Sequence, residues 1–478
     1  MSNSKAGIGG VWPRLGITGK SVNIPKSRDG FIRRIKQSII ADPLVPRTDQ
    51  ERKRFLISNL ILHFRPTTVP EPTLKFTLTW GLGGMAVVLV LIQIFTGVLL
   101  KFVYQAFPAG AYDSILYLQQ DVLFGQLVRN VHHWSANFLI FIVFLHFLRV
   151  FLTGAIHAPR QFNWIIGLCL FGLVLFANFT GYLLPWDQLA YWAVTIVTGM
   201  LEYVPMVGRE LQNILRGGEE IGPVTLHIFL TLHTAVIPVF LVLLMAFHFW
   251  RIRRAGGLVV PRKPGEERPE QPARVLTMPN LIVREGVVAL VLIAAVLLIS
   301  VLFDAPLGKQ ANPGLSPNPT KAPWYFAGLQ ELLLHFHPLF AVLIIPAAVI
   351  GSLILIPYLP YQADTSGVWF ASEVGRRTAR ISALTSLVLT PLLVLVDESL
   401  DLEKHLPGVL SGGLIPAALL LAFVMGYAVF LKRRFSLMTR ETIQAVFVMM
   451  GVALVVMTVI CVWFRGEGMA LQWPFGKP

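Results

Sequence analysis

The segment that decides the fold is RNVHHWSANFLIFIVFLHFLR, residues 129–149. Between its terminal arginines it has no acidic or further basic residue except histidine, and its apolar run is long enough to cross a bilayer as an α-helix. His132 and His146 stand 14 residues apart in it. At about 100° and 1.5 Å per residue, this interval returns to within about 40° of the same face and rises about 21 Å. The segment therefore predicts a membrane helix that presents two imidazoles on one face at two depths.

The composition of the whole chain also indicates a membrane protein. Apolar types make up 55% of the 478 residues and charged types 14%, against about 25% charged residues in a typical soluble domain. We therefore expect an all-α polytopic membrane fold with about nine transmembrane helices, a four-helix bundle followed by a C-terminal helical group. The predicted spans are residues 76–104, 128–152, 164–184, 223–250, 285–303, 339–358, 380–396, 413–431 and 442–464.

The net charge of +14 is explained by topology and does not indicate a nucleic-acid partner. Lys and Arg concentrate in the segments on the side of the N-terminus, whereas the opposite side is weakly acidic. By the positive-inside rule, this asymmetry places the N-terminus in the cytoplasm. Residues 1–60 are polar and basic without an apolar core, so we expect no cleaved signal peptide.

The chain is predicted to have two helical domains joined by a charged, proline-rich linker. The expected parts are a basic cytoplasmic N-terminal segment (1–75), a four-helix domain (76–250), the linker (251–284), a three-helix domain (285–397) and two additional helices with a tail (398–478). Two loops on the outer side, 185–222 and 304–338, are long enough to be functional, and the first is predicted to form short helices on the membrane surface.

A second pair of histidines matches the first. His233 and His248 lie 15 residues apart on the fourth span, which is predicted to run in the same direction as the second. The upper and lower pairs can therefore meet at two depths, as two bis-imidazole iron sites require. Zinc is disfavoured because its four ligands would have to converge on one point.

The remaining histidines are not expected to bind iron. His133 is turned about 140° from the face of His146, and His227 is too far from His248 to match His132 in depth. The other five are interpreted as loop or interface residues: His63, His157, His335, His337 and His405.

Glycines and arginines support the same interpretation. Gly83 and Gly97 on the first span, and Gly167 and Gly181 on the third, repeat the 14-residue interval, and a flat macrocycle between helices needs missing side chains at two depths. Arginines at the two levels suit haem propionates, although snorkelling to the interface also explains the inner two. These arginines are Arg129 at the outer level and Arg149 and Arg253 at the inner level.

The chain resembles the cytochrome b subunit of the quinol-oxidising cytochrome bc complexes. The resemblance covers residues 76–397 and is closer to the chloroplast type, with its four-helix and three-helix parts fused; the last two spans have no clear counterpart in the split form. The motifs that carry it are RNVHHWSA (129–136), LHFLRV (145–150), TGYLLPWDQ (180–188), YWAV (191–194) and LHT (232–234).

This resemblance implies a Q-cycle in a proton-translocating quinol–cytochrome c reductase of the respiratory chain. Quinol is oxidised near the outer face, at a site that includes Trp324 and Tyr325. One electron goes to a Rieske iron–sulfur protein and a c-type cytochrome, and the other passes through the outer haem (His132, His233) to the inner haem (His146, His248). A quinone is then reduced at the inner side. The implied setting is a dimeric complex in the lipid of a bacterial plasma membrane.

Two positions depart from the family pattern. The quinol-oxidation loop usually carries Pro-Glu-Trp-Tyr, but here Ala322-Pro323-Trp324-Tyr325 has no carboxylate. Glu331 is therefore proposed as the substitute proton acceptor, with an ordinary solvated loop acid as the alternative. Such departures also occur in relatives that use low-potential quinols, which favours menaquinol.

The second departure concerns a third haem, which the chloroplast type attaches through a Cys before Leu-Gly-Gly. Gly81 stands at that position here, and Cys169 and Cys461 form no CxxC or CxxCH motif. We therefore expect two non-covalent b haems and no covalent c-type haem, disulfide or zinc site.

Two other functions remain open. In one, the chain is a di-haem membrane anchor that exchanges electrons between quinone and a non-Rieske, multihaem partner; the missing loop carboxylate allows this, and the retained Trp-Tyr-Phe argues against it. In the other, the chain is a transporter with incidental histidines, which would need more ionisable residues along the spans than it has.

Overall fold

The computed structural model describes residues 68–267, 272–400 and 408–473, together with Ile32 and Ile35. Most of the predicted N-terminal segment, with His63, and also His405 thus lie outside the described residues. Within them the chain is almost entirely helical. The exception is a two-stranded antiparallel sheet of β1 (Thr68–Pro70) and β2 (Arg274–Leu276), which joins the end of the predicted N-terminal segment to the linker.

Nine helices in the described part of the chain are long and apolar enough to cross a membrane, which confirms the predicted number of spans. The four shorter helices are α2, α5, α6 and α9 in the following list. In chain order the helices are α1 (Leu82–Lys101), α2 (Pro108–Gln120), α3 (Gly125–Leu152), α4 (Gln161–Leu183), α5 (Gln188–Gly199), α6 (Gly208–Arg216), α7 (Pro223–Arg254), α8 (Thr277–Leu302), α9 (Trp324–His335), α10 (Leu339–Tyr358), α11 (Glu373–Leu400), α12 (Gly412–Phe435) and α13 (Thr439–Phe464).

Several predicted bounds were wrong by a few residues, for local reasons. The first span begins at Leu82 rather than 76, because Trp80 (φ 50°) and Gly81 (φ 67°) adopt left-handed conformations that end a preceding helical turn. The linker is shorter than 251–284 because α8 already begins at Thr277. The short helices α5 and α6 occur where loop 185–222 predicted them, whereas α2 was not predicted.

The helices pack as two groups, which are joined where α13 contacts α3. In the first, α1 packs along α3 and α4 along α7, and α8 covers α3. In the second, α11 and α9 both pack against α13. The end of the bundle at which α5, α6 and α9 lie is called the outer end below. Large apolar side chains on the outward faces of the spans are exposed, as expected of helices that face lipid.

Three spans contain a π-helical segment that ends two residues before a proline. A proline within a helix donates no hydrogen bond and its ring crowds the carbonyl four residues earlier, which favours a wider turn just before it. The segments are Leu232–Val236 before Pro238 in α7, Leu339–Ile344 before Pro346 in α10, and Leu410–Leu414 before Pro416 at the start of α12.

Candidate functional site

The two histidines of α3 face the two histidines of α7. The imidazole rings of His132 and His233 have centroids 6.1 Å apart and meet edge to face. His146 and His248 lie close enough for their imidazoles to interact electrostatically. Because metal–imidazole bonds are about 2 Å long, one metal ion fits between the rings of the outer pair.

Each of the four predicted glycines faces a different one of these histidines. A Cβ atom built at the glycine would lie close to Cε1 of the imidazole in every case. The distances are 3.6 Å for Gly83 and His146, 3.3 Å for Gly97 and His132, 3.6 Å for Gly167 and His248, and 2.5 Å for Gly181 and His233. Each glycine thus lies beside an imidazole, two at each level, and leaves the helix surface beside the ring free of a side chain, as a macrocycle requires.

The hydrogen bonds of the outer histidines leave Nε2 available as a ligand. The hydroxyl of Thr96 donates to Ile92 O at 2.6 Å, so its oxygen accepts from Nδ1 of His132 at 2.8 Å. Nδ1 of His233 donates to Ala177 O at 2.9 Å. An imidazole that donates from Nδ1 carries a lone pair on Nε2, which is the arrangement of metal-ligating histidines. The outer pair therefore fits an iron porphyrin.

A π-bulge reconciles the 15-residue interval of α7 with the 14-residue interval of α3. His233 lies within the π segment Leu232–Val236, and a π turn takes up one residue more than an α turn. The extra residue therefore does not rotate His233 away from the face of His248. The signal for this bulge in the sequence is Pro238, because a proline favours a wider turn just before it.

The histidines not expected to bind iron have other surroundings. His133 lies against Trp134 and next to Asn137. The rings of His157 and Tyr361 are in contact, with centroids 4.4 Å apart. His335 is more than a loop residue, because it ends α9 and lies between the carboxylates of Glu331 and Asp397. In the part of the chain that the structure describes, no three His, Cys, Asp or Glu residues are grouped as a metal site would need.

The predicted arginines differ in their contacts. Arg129 donates from Nη1 to Ala305 O and from Nη2 to Pro306 O, each at 2.7 Å, and so holds the start of the 304–323 loop. Arg149 is buried on α3, one turn beyond His146. Arg253 lies near the end of α7, beyond His248.

The aromatic residues of the second outer loop begin helix α9. Trp324 donates from its indole nitrogen to Asn137 Oδ1 at 2.7 Å, which ties α9 to α3. The ring of Tyr325 packs on the core between α1, α3 and α8, and burial raises the pKa of its hydroxyl. Phe326 lines an apolar cavity of about 330 Å³ beside α4, α5 and α6, and the other lining residues are Gly172, Leu175, Phe176, Phe179, Val197, Leu201 and Leu215. Its volume is within the range of small-molecule sites.

Glu331 is not a solvated loop acid. Its carboxylate is fully buried and accepts hydrogen bonds from Nη2 of Arg465 at 2.7 Å and from Nε at 3.1 and 3.2 Å. Burial alone would raise its pKa, but the hydrogen bonds and charges of His335 and Arg465 outweigh burial and lower it. It also lies five residues from Phe326, about 140° around the helix from the face that lines the cavity.

His335 completes this cluster. Its Nε2 lies 3.3 Å from Glu331 Oε1, and its Nδ1 lies 2.5 Å from Asp397 Oδ2 of α11. Burial lowers the pKa of the imidazole, but the hydrogen bonds and charges of the two carboxylates outweigh it and raise the pKa above 6.5. Arg465 also binds Glu398 Oε2 at 3.0 Å. Sequence reasoning missed the cluster because its members lie on three distant segments.

Comparison with known proteins points to one family. The family model described as "Cytochrome b/b6/petB" matches residues 68–256, which include all four histidines and all four glycines described above. A cytochrome b6 of Synechococcus sp. (strain CC9311) is 41% identical over 211 residues, which is 44% of this chain and 95% of that protein. A cytochrome b6 of Porphyra purpurea is 44% identical over 175 residues, 37% of this chain and 81% of that protein.

Among solved structures, the fold is similar to a chain of "Hyperthermophilic respiratory Complex III". The TM-score is 0.61 at 21% sequence identity, and the match covers 86% of this chain and 97% of that chain. This likeness extends well beyond the four-helix part of the molecule.

Proposed function

The chain belongs to the cytochrome b/b6 family, and from this premise we propose that it is the di-haem subunit of a quinol:cytochrome c-type oxidoreductase. It is a multi-pass membrane protein, and its family implies b-type haem. The observation that carries the proposal is the pairing of each of four glycines with a different one of four histidines, at two levels of the bundle.

The four histidines are assigned as haem ligands, His132 with His233 at the outer level and His146 with His248 at the inner level. Two irons bound there would supply one-electron carriage between the two sides of the membrane. Thr96 and the carbonyl of Ala177 orient the outer imidazoles. At the inner level we assign Arg149 and Arg253 to the propionates. Arg129 is the candidate at the outer level, although both its terminal nitrogens already hold the loop.

We propose that quinol is oxidised beside the N-terminal turn of α9. The apolar cavity lined by Phe326 and the outer part of α4 suits a quinone ring or tail. Trp324 and Tyr325 precede Phe326 at the start of the helix, and the bond from Trp324 to Asn137 ties this turn to α3. The ion pair with Arg465 argues against Glu331 as the proton acceptor, because a carboxylate held in this way is a weak base.

The finer features follow the resemblance and are proposals. They are a fused form of the split cytochrome, an N-terminus in the cytoplasm of a bacterial plasma membrane, quinone reduction at the inner side, and electron delivery to a Rieske protein and a c-type cytochrome in a dimeric complex. Menaquinol is the preferred substrate class. Gly81 in place of the attachment cysteine supports the absence of a covalent haem on this chain.

A second candidate is the di-haem anchor with a non-Rieske, multihaem partner. The observation that favours it is the loop around Pro323, which has no carboxylate, together with the pairing of Glu331 to Arg465. The two candidates differ in the electron acceptor. Quinol oxidation that depends on a Rieske protein favours the first, and oxidation that proceeds without one favours the second.

The proposal is tested by haem stoichiometry in the purified protein, using a pyridine haemochrome assay and a reduced-minus-oxidised redox titration. We expect two non-covalent b haems with separate potentials. His248→Asn should remove the inner one, and the matched control His133→Asn should keep both. Absence of haem in the wild type would refute the proposal, and a covalently held third haem would show that the interpretation of Gly81 is wrong.

A further inference from the structure

The last transmembrane helix holds the segment that carries the proposed quinol site. Residues 318–331 bond with the end of α13 and the tail that follows it. The contacts join Asn318 to Gly468 N, Lys321 Nζ to Val462 O at 2.9 Å, Cys461 Sγ to Gln330 Oε1 at 3.5 Å, and Glu331 to Arg465. The four residues of α13 and its tail in these contacts, Cys461, Val462, Arg465 and Gly468, all lie outside the part of the chain that the family model matches.

Helix α9 approaches α13 closely at one glycine. A Cβ atom built at Gly328 would lie 2.7 Å from Thr458 Oγ1 and 2.9 Å from the backbone oxygen of Leu454. Because one of these atoms belongs to the backbone, a side chain at 328 would force the two helices apart. Packing at Gly328 therefore fixes the distance between α9 and α13 independently of the polar contacts.

The other end of α13 is tied to the four-helix part of the molecule. Gln444 donates from Nε2 to the backbone oxygens of Phe151 and Leu152, at 3.0 and 3.1 Å, at the inner end of α3. Helix α13 thus spans the distance between the inner end of α3 and the outer helix α9. A displacement of its outer end is resisted by contacts at both levels.

The strongest contact in this arrangement is the pair of Glu331 and Arg465. Both side chains are almost completely inaccessible, at 0% and 1% exposure. Breaking a buried ion pair by removing one partner leaves an uncompensated charge, which is strongly unfavourable. Three carboxylates face Arg465 and His335 here. Removing the guanidinium therefore leaves three carboxylates facing a single imidazole.

Phe326 lies about 140° around α9 from Glu331, whereas Trp324 lies within about 20° of the face of Glu331. Trp324 reaches α3 through Asn137, and the ring of Phe326 lies 6.3 Å from that of Phe179 at the cavity. Helix α9 therefore lies between α13 on one side and the proposed substrate cavity on the other. The position of α9 along this line determines how far Phe326 projects into the cavity.

We propose that Arg465 is a positioning residue for quinol oxidation, because its hold on Glu331 fixes α9, and with it Trp324, Tyr325 and Phe326, relative to the cavity. This inference rests on the proposed function for its effect on turnover. The contacts that hold residues 318–331 against α13 and its tail, called the clamp, do not depend on that function. The clamp gives the last span a role in the catalytic subunit, beyond docking of another subunit or contact with lipid.

The test compares Arg465→Met, Arg465→Lys and the control Glu467→Gln, an exposed acid two residues away, in the assembled, haem-loaded complex. Hydrogen–deuterium exchange of residues 318–331 should rise about tenfold or more in Arg465→Met and stay unchanged in Glu467→Gln. Quinol turnover per haem should fall about 10- to 100-fold, since misplacement by about 1 Å can cost that much. Arg465→Lys keeps the charge and should recover part of both effects.

The outcomes separate the clamp from the proposed function. Unchanged exchange in 318–331, or unchanged turnover per haem in a variant whose exchange has risen, would overturn the positioning role. Raised exchange in a protein whose wild type does not oxidise quinol would refute the proposed function and leave the clamp intact. If Arg465→Met does not assemble, Lys321→Met removes a neighbouring contact of the same clamp and is judged by the same two measurements.

Discussion

Gly181 faces the ring of His233 so closely that a methyl group at residue 181 would lie 2.5 Å from Cε1 of the imidazole. This is the shortest of the four glycine–histidine distances, and the others are 3.3 to 3.6 Å. The outer end of α4 thus approaches α7 with no room for a side chain. His233 is fixed from below as well, because Nδ1 donates to Ala177 O one turn earlier on α4.

Gly181→Ala should therefore displace His233 and weaken the outer haem site. We expect the haem content to fall from about two toward about one per chain, or the outer potential to shift, since only Gly permits this approach. Redox titration and a haemochrome assay measure both. Gly84→Ala is the control, because a Cβ there would meet nothing within 4 Å. Equal haem content and potentials in the two variants would contradict the assignment.

Removing one partner of the Glu331–Arg465 pair should destabilise the protein by more than removing both. Arg465→Met leaves a buried carboxylate, at an expected cost of about 3–5 kcal/mol. In the double variant Glu331→Met/Arg465→Met, apolar side chains of similar length replace the pair, and most of the loss should be recovered. Thermal unfolding of the four members of this cycle measures the coupling. Additive losses would show that the two residues do not act as a pair.

The facing arrangement of the four histidines was predictable because helical periodicity is a one-dimensional property. Intervals of 14 residues between His132 and His146, and between the glycines, depend only on the rise and rotation of a helix. The π-bulge at His233 was harder to predict, since it requires the effect of Pro238 on the preceding turn. The start of the first span was predicted too early because the left-handed pair Trp80-Gly81 interrupts an otherwise apolar run.

The surroundings of Glu331 could not be predicted from the sequence. Its main partner, Arg465, lies 134 residues further along the chain, and no local pattern connects the two. A loop acid beside Trp-Tyr-Phe suggested a solvated side chain or a proton acceptor. Tertiary packing of α13 on α9 instead buries it against a guanidinium.

Substitution of Arg129 separates its two candidate roles. Arg129→Lys can donate to one of the carbonyls of Ala305 and Pro306 but lacks the fork that reaches both. We expect the 304–323 loop to exchange hydrogen faster and quinol turnover to fall, with the outer haem potential unchanged. A shift of that potential without faster exchange would instead indicate that Arg129 binds a propionate.

The His335 cluster predicts how the stability of the protein depends on pH. The pKa of His335 is raised above 6.5, so its contribution is complete below 6.5 and is lost as the pH rises through the folded-state value. The pKa of Glu331 is lowered below 4.5, so its contribution is present above 4.5 and is lost as the pH falls through its folded-state value. The cluster is therefore most stabilising between pH 4.5 and 6.5.

His335→Gln should accordingly lower the unfolding temperature by its full amount throughout this range, and the difference from wild type should shrink as the pH rises above 6.5. Thermal unfolding of the haem-loaded protein at a series of pH values measures it. His337→Gln, two residues away with its ring against Tyr203, is the matched control and should run parallel to the wild type. If the difference for His335→Gln is the same at every pH, the imidazole does not hold a proton between Glu331 and Asp397.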